Sequence, residues 1–158
     1  MDDRRITDRI TELGFELPPP PKPVASYIPV RVAGSLVFVA GQVPAIDGEV
    51  MYPGLVGDGD GDVSVDEGAD AARQAALQAL SALRDALGTF QTLGGIAQVT
   101  VYVASAAGFT RHPAVANGAS DLFVDVLGQP GRHARAAIGV SSLPLGASVE
   151  VAVIAQLG

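Results

Sequence analysis

At 158 residues, 48% hydrophobic and 17% charged, the chain is the size of one domain and long enough to bury about 70% of its unfolded surface. So lean a charge content points to apolar surface consumed by self-association. A formal net charge of -7 argues against binding a phosphate backbone, which needs clustered Lys and Arg, and the absence of cysteine excludes disulfides, thiolate nucleophiles and Cys-type zinc sites.

The N-terminal MDDRRITDRI is too charged for a signal peptide, and no apolar run reaches the length of a membrane span. The expected setting is the cytoplasm, with neither membrane nor nucleic acid as partner. Ile6, Ile10 and Leu13 recur at helical spacing over Asp3 to Leu13, and Gly14 supplies a stop. LPPPPKP, from Leu17 to Pro23, can be neither helix nor central strand and serves as a stiff spacer. Residues 1–23 thus read as helix plus spacer, and 24–158 as a single domain.

Within Ser26 to Val43 two strands flank a turn at Ala33 to Ser35, the second being the apolar run Leu36 to Ala40. Turn signals at Asp47-Gly48 and Pro53-Gly54 predict a hairpin and an irregular return. The acidic GDGDGD from Gly57 to Asp62 fails the EF-hand pattern, since Val63 stands where glycine is needed and Ala69 where a glutamate would close the loop. A solvated loop is expected there. Ser64 to Glu67 forms a capping box that starts a long helix with Ala72, Ala76, Leu80, Leu83 and Leu87 as its buried stripe, flanked by Ala75 and Ala79 and stopped by Gly88. Gly95 to Ala104 reads as a strand with Val99, Val101 and Val103 on one face, and Pro113 to Leu127 as a helix with Ala119, Leu122, Phe123 and Val126 inward.

Gly131 to Gln156 closes the chain as two strands around Leu143-Pro144-Leu145-Gly146, a pattern that predicts a hairpin. Alternation groups Ala136, Ile138 and Val140 on one face of the first strand, expected to be core, and Arg135, Ala137 and Gly139 on the other. On the second, Val149, Val151 and Val153 oppose Glu150, Ala152 and Ile154. A charge on such apolar strands is paired, solvated in a cleft or used. Arg135 and Glu150 therefore either sit at strand edges or form a site, where Ala137 and Gly139 leave a hollow beside a guanidinium able to grip a carboxylate. A simple hairpin register places Glu150 opposite Gly139, so the two charges meet only through the long arginine side chain or across a subunit boundary. The element order predicts an α+β fold, two helices on one face of a mixed or antiparallel sheet.

The pattern A-R-x-x-x-x-V-x-x-L-P-x-G-x-x-V-E-V, here Ala134 to Val151, resembles the C-terminal signature of the RidA family, also called YjgF-type or endoribonuclease L-PSP. The resemblance runs from about Tyr27 to the C-terminus. It implies a chorismate-mutase-like fold, a homotrimer around a closed barrel, clefts between subunits, and hydrolytic deamination of reactive imines and enamines without a cofactor or metal. Carried over by position, Arg135 would bind the carboxylate of a small 2-imino acid and Glu150 would position or activate water. Tyr27 would line the cleft, as would Ala137 and Gly139. Asn117 would stand near it, with helix capping as its local alternative. His133 would border the cleft or serve a loop. The chain departs from the family pattern at Ala40, Ala137 and Gly139, where serine, cysteine and glutamate are customary, so a roomier and less polar pocket is expected. Three readings follow: an imine deaminase, a non-catalytic carboxylate-binding trimer, and a nuclease or translation inhibitor, the last with the weakest residue support.

Overall fold

The computed structural model describes residues 1–22 and 26–158. The boundary expected at residues 23 and 24 lies outside the described residues. Helix α1 (Asp3–Glu12) starts at Asp2, whose carboxylate accepts from the Arg4 and Arg5 amides, and its inner side carries Ile6 and Ile10 into the main core. Asp3 ties it down by accepting from the Phe90 amide at 2.8 Å and from Arg84 at 3.1 Å. The Phe90 amide first and the Arg84 hydrogen bond second hold the Asp3 carboxyl below its ordinary pKa. The expected N-terminal helix is therefore packed on the core, a third helix beside the two placed on the sheet.

Strands β1 (Val30–Ala33) and β2 (Leu36–Gln42) form the first hairpin, whose turn has Gly34 at φ +62. The short pair β3 (Ala45–Ile46) and β4 (Glu49–Val50) is joined by Asp47 and Gly48, both at positive φ as a tight two-residue turn demands. In the acidic loop that follows, Asp62 accepts from the Gly59 amide and Asp58 pairs with Arg111. Helix α2 (Val65–Leu87) begins at the expected capping box, with Glu67 N–H donating to Ser64 Oγ at 3.2 Å and Ser64 N–H to Glu67 Oε2 at 2.8 Å. Its alanine stripe is buried. Strand β5 (Leu93–Ala104) buries Val99, Val101 and Val103, and helix α3 (His112–Leu127) buries Val115, Ala119, Leu122, Phe123 and Val126. The two helices pack directly at Gly118, where a Cβ would collide with the Ala69 carbonyl. None of the described helices is long and apolar enough to cross a membrane.

Strands β6 (Ala134–Val140) and β7 (Val149–Leu157) complete a five-stranded mixed sheet in the order β1-β2-β7-β5-β6. The expected hairpin between β6 and β7 is therefore not formed. β6 pairs parallel with β5, as a strand–helix–strand crossover through α3 allows, while β7 lies antiparallel on the other side of β5 and also pairs with β2. The Leu143–Gly146 turn is present, with Gly146 N–H donating to the Leu143 carbonyl, but it carries the chain over the end of β5.

The register also reverses the expected core face of β6. Arg135, Ala137 and Gly139 stand opposite Val99, Val101 and Val103, on the helix-covered face, and Ile138, opposite Tyr102, is 45% exposed on the open face. Small residues on the covered side let α3 lie close to the edge strand, so little apolar side chain is needed there. Among the described residues of one chain the sheet remains open, with β1 and β6 as its edges and no closed barrel.

Candidate functional site

Asn117 and Ser120 are three residues apart and share one face of α3. That face meets the exposed Arg135 on edge strand β6, whose Nη1 donates to Asn117 Oδ1 at 2.8 Å and to Ser120 Oγ at 3.1 Å. Asn117 lies inside the helix and makes no cap, because the N-cap position is Arg111 and has no side-chain cap bond. Behind Ser120 lies His133, with Nε2 3.0 Å from Ser120 Oγ and Nδ1 2.6 Å from the Gly131 carbonyl oxygen. A carbonyl only accepts, so Nδ1 carries a proton; in the neutral ring Nε2 then accepts from the Ser120 hydroxyl, whose lone pairs face Arg135. Burial first, and the Arg135 charge to a lesser degree, lower the His133 pKa against the raising effect of the Gly131 carbonyl. The chain of donors thus has one consistent direction. No carboxylate among the described residues pairs with Arg135.

Further along the same face of β6 come Ala137 and Gly139. The hollow expected at Gly139 is filled: a Cβ there would collide with His112 Nε2 and lie 3.0 Å from Ser105 Oγ. His112 Nε2 and Ser105 Oγ are hydrogen-bonded at 3.0 Å, and Phe109 packs edge-on against the imidazole. The pocket is therefore not emptied toward this end; an imidazole and a hydroxyl from outside β6 occupy it. Between Arg135 and Gly139 on that face stands Ala137, half-buried against the core.

Glu150 lies elsewhere. It stands opposite Tyr102, which in turn neighbours Ile138, on the open face of the sheet. The irregularity in the β2–β7 pairing between Val39 and Gln42 brings Gly41 against the Glu150 carboxylate, so closely that a Cβ at Gly41 would collide with Oε1. Half-buried and without a hydrogen-bond partner among the described residues, this carboxyl has its pKa raised by burial. Gly41 also lines a shallow cleft of about 220 Å³, with Tyr27, Pro29, Gln42, Lys22 and, from α2, Gln78; Glu150 is not in its lining, and Tyr27 is 55% exposed.

The structure thus puts Asn117 in contact with Arg135, with Ala137 and Gly139 further along the same face of β6, while Tyr27 and Glu150 each adjoin Gly41. It does not bring the two groups together. Arg135 and Glu150 sit on opposite faces of the sheet, two strand spacings or about 10 Å apart across it. Tyr27 precedes β1, which lies four spacings or about 19 Å from β6. The arginine side chain spans neither gap. Sequence reasoning missed Ser105, Ser120 and the contact of His112 with Gly139; the polar pair Asn117 and Ser120 at helical spacing was the available signal for one of them, and nothing local announced the others. Among the described residues, no cluster of three or more His, Asp or Glu is placed to hold a metal ion.

Comparison with known proteins gives a consistent result. The family model described as "YjgF/chorismate_mutase-like, putative endoribonuclease" matches residues 7–157. Protein TCP17 of Trypanosoma cruzi is 38% identical over 97% of this chain and 94% of its own length. Among solved structures, the Agrobacterium tumefaciens protein Atu1372, described as of unknown function, superposes with a TM-score of 0.90 at 38% identity, covering 99% of this chain and 94% of that one. A Shewanella oneidensis protein named "putative endoribonuclease" gives a TM-score of 0.90 at 30% identity, covering 96% and 99%. The chain belongs to the YjgF family and has its chorismate-mutase-like fold.

Proposed function

We propose that the protein hydrolyses small reactive 2-imino or enamino acids to 2-keto acids and ammonia, at a cleft assembled between copies of the chain. The carrying observation is Arg135: exposed on edge strand β6, pinned by two neutral acceptors on α3 and with no carboxylate partner among the described residues, it is preorganised as a carboxylate receptor. The second group, Tyr27 and Glu150 beside Gly41, supplies what the first lacks, a carboxylate with its pKa raised toward the range of a general base. Because one chain keeps the two apart, a second copy is needed to present Glu150 to Arg135. The exposed Leu36, Phe38 and Ile138 on the open sheet face favour such an assembly, and a ring of three follows the family habit. Imines hydrolyse readily in water, so orientation plus proton transfer is adequate chemistry. A cysteine-free chain with this substrate class suits the cytoplasm.

The alanines at 40 and 137, which bring no polar group to the cleft, favour a second reading, a binding trimer that holds a carboxylate without converting it. Ammonia and keto-acid release from freshly generated 2-imino acids, small and bulky, separates the two. The deaminase reading expects turnover, greatest for small side chains; a panel without turnover, with a carboxylate still bound, contradicts it.

A further inference from the structure

From the hydrogen bonds behind the guanidinium we infer that Ser120 and His133 are positioning residues for Arg135, holding its Nη1 so that Nε and Nη2 are left for the substrate carboxylate. This rests on the deaminase reading above and adds to it two groups that set the affinity for the carboxylate end.

Three observations carry it. Arg135 Nη1 meets two acceptors, Asn117 Oδ1 at 2.8 Å and Ser120 Oγ at 3.1 Å, whereas Nε and Nη2 have no hydrogen-bond partner among the described residues. The N–H groups left over include two that run parallel and match the two oxygens of one carboxylate. An exposed arginine held in one geometry before the ligand arrives loses less side-chain freedom on binding. Next, a serine hydroxyl accepts from Nη1 only when its own proton is turned elsewhere. Within a helix one outlet is the carbonyl four residues back, and Thr7 and Thr11 of α1 take it, donating to the Asp3 and Thr7 carbonyls at 3.2 and 3.1 Å. Ser120 turns instead to His133 Nε2 at 3.0 Å.

Last, the imidazole is itself fixed in place and in tautomer. Phe123 packs edge-on against it with 5.8 Å between ring centroids, and the Gly131 carbonyl, 2.6 Å from Nδ1, keeps a proton on that nitrogen. Burial favours the neutral ring, the form whose Nε2 accepts. A backbone carbonyl thus sets the tautomer, the tautomer sets the direction of the Ser120 hydroxyl, and the hydroxyl presents its lone pairs to Arg135. His133 acts on the cleft through Ser120.

The test compares wild type with Ser120→Ala, Ser120→Thr, His133→Phe and His133→Gln by steady-state kinetics on 2-iminopropionate and by titration with pyruvate. Alanine removes the hydroxyl and phenylalanine the ring nitrogen that accepts from it, whereas threonine keeps a hydroxyl and glutamine an acceptor oxygen. We expect Ser120→Ala and His133→Phe each to raise KM and the pyruvate Kd by about 3–10-fold with kcat little changed, and threonine and glutamine to recover most of the affinity. The double variant Ser120→Ala, His133→Phe should bind no more weakly than either single one, because the two residues act in series. Unchanged KM and Kd in Ser120→Ala and His133→Phe, in proteins that still turn over, overturn the inference while leaving the deaminase reading intact, and losses that add in the double variant refute the series. If wild type turns nothing over yet binds pyruvate, the deaminase reading falls and the same Kd comparison decides the positioning role. Pyruvate that wild type does not bind, in an inactive protein, refutes both.

Discussion

Arg135→Ala is expected to lower kcat/KM for a small 2-imino acid by about 10²–10⁴-fold, chiefly through KM. Two charge-assisted hydrogen bonds to the substrate carboxylate are lost, each worth about 1.5–3 kcal/mol, and every 1.4 kcal/mol is a factor of ten. Stability should change little, within about 0.5 kcal/mol, because the side chain is exposed and Asn117 and Ser120 remain open to water when it is gone. Arg135→Lys restores charge without the planar fork and recovers only part of the loss. Steady-state kinetics on the two variants, beside urea denaturation, provides the check. An Arg135→Ala protein with wild-type KM would show that the guanidinium is a surface feature held by α3 for structural reasons.

Glu150→Gln is expected to separate activity from stability. As general base its loss lowers kcat by about 10²–10⁴-fold. Its folded pKa is raised above the ordinary value of 4.5 by burial, so the native carboxyl binds more protons than the unfolded one between those two values. The stabilising contribution of the protonated group is fully present below the unfolded pKa and is lost as pH rises through the folded pKa. At pH 7 to 8 the charged group opposes folding, and glutamine, uncharged and nearly isosteric, relieves this. Tm of the variant should therefore exceed wild type at neutral pH and the difference should vanish near pH 4, as thermal scans across pH would record. Functional carboxylates commonly show this trade of activity against stability. A variant with lower Tm at pH 7 would mean that a stabilising contact, such as the Arg135 of a second copy, outweighs the cost of burying the charged carboxylate.

The parts of the fold written in short-range chemistry were legible in the sequence. Ser64 and Glu67 satisfy each other's amides within one turn, Asp47-Gly48 accepts the positive φ its hairpin needs, and Val99, Val101 and Val103 alternate into the core. Strand order was not legible. The two C-terminal strands carry a hairpin's turn residues, yet the pairing is decided by what else β5 offers, a parallel edge for β6 and an antiparallel one for β7. Alternation says which residues share a face, and nothing in it says which strand lies next door.

The same distinction governs the site. Arg135 and Glu150 stood out as charges among apolar residues, and their residue types carried the resemblance to the family. Their separation by the thickness of the sheet follows only from the register. Gly139 read as a vacancy because a sequence shows an absent side chain and not the neighbour that fills it; His112 reaches it from the start of another element, 27 residues earlier in the chain.

If the working cleft combines Arg135 of one copy with Glu150 of another, as proposed, two inactive proteins should restore each other when mixed. Arg135→Ala and Glu150→Gln, unfolded together in equal amounts and refolded, should regain ammonia and keto-acid release. In a ring with random composition, about a quarter of the interfaces join an intact Arg135 to an intact Glu150, so activity near a quarter of wild type is expected, with neither variant active when refolded alone. If the mixture of the two stays as inactive as its components while wild type recovers fully under the same treatment, each chain holds its own site and the account of a shared cleft is wrong.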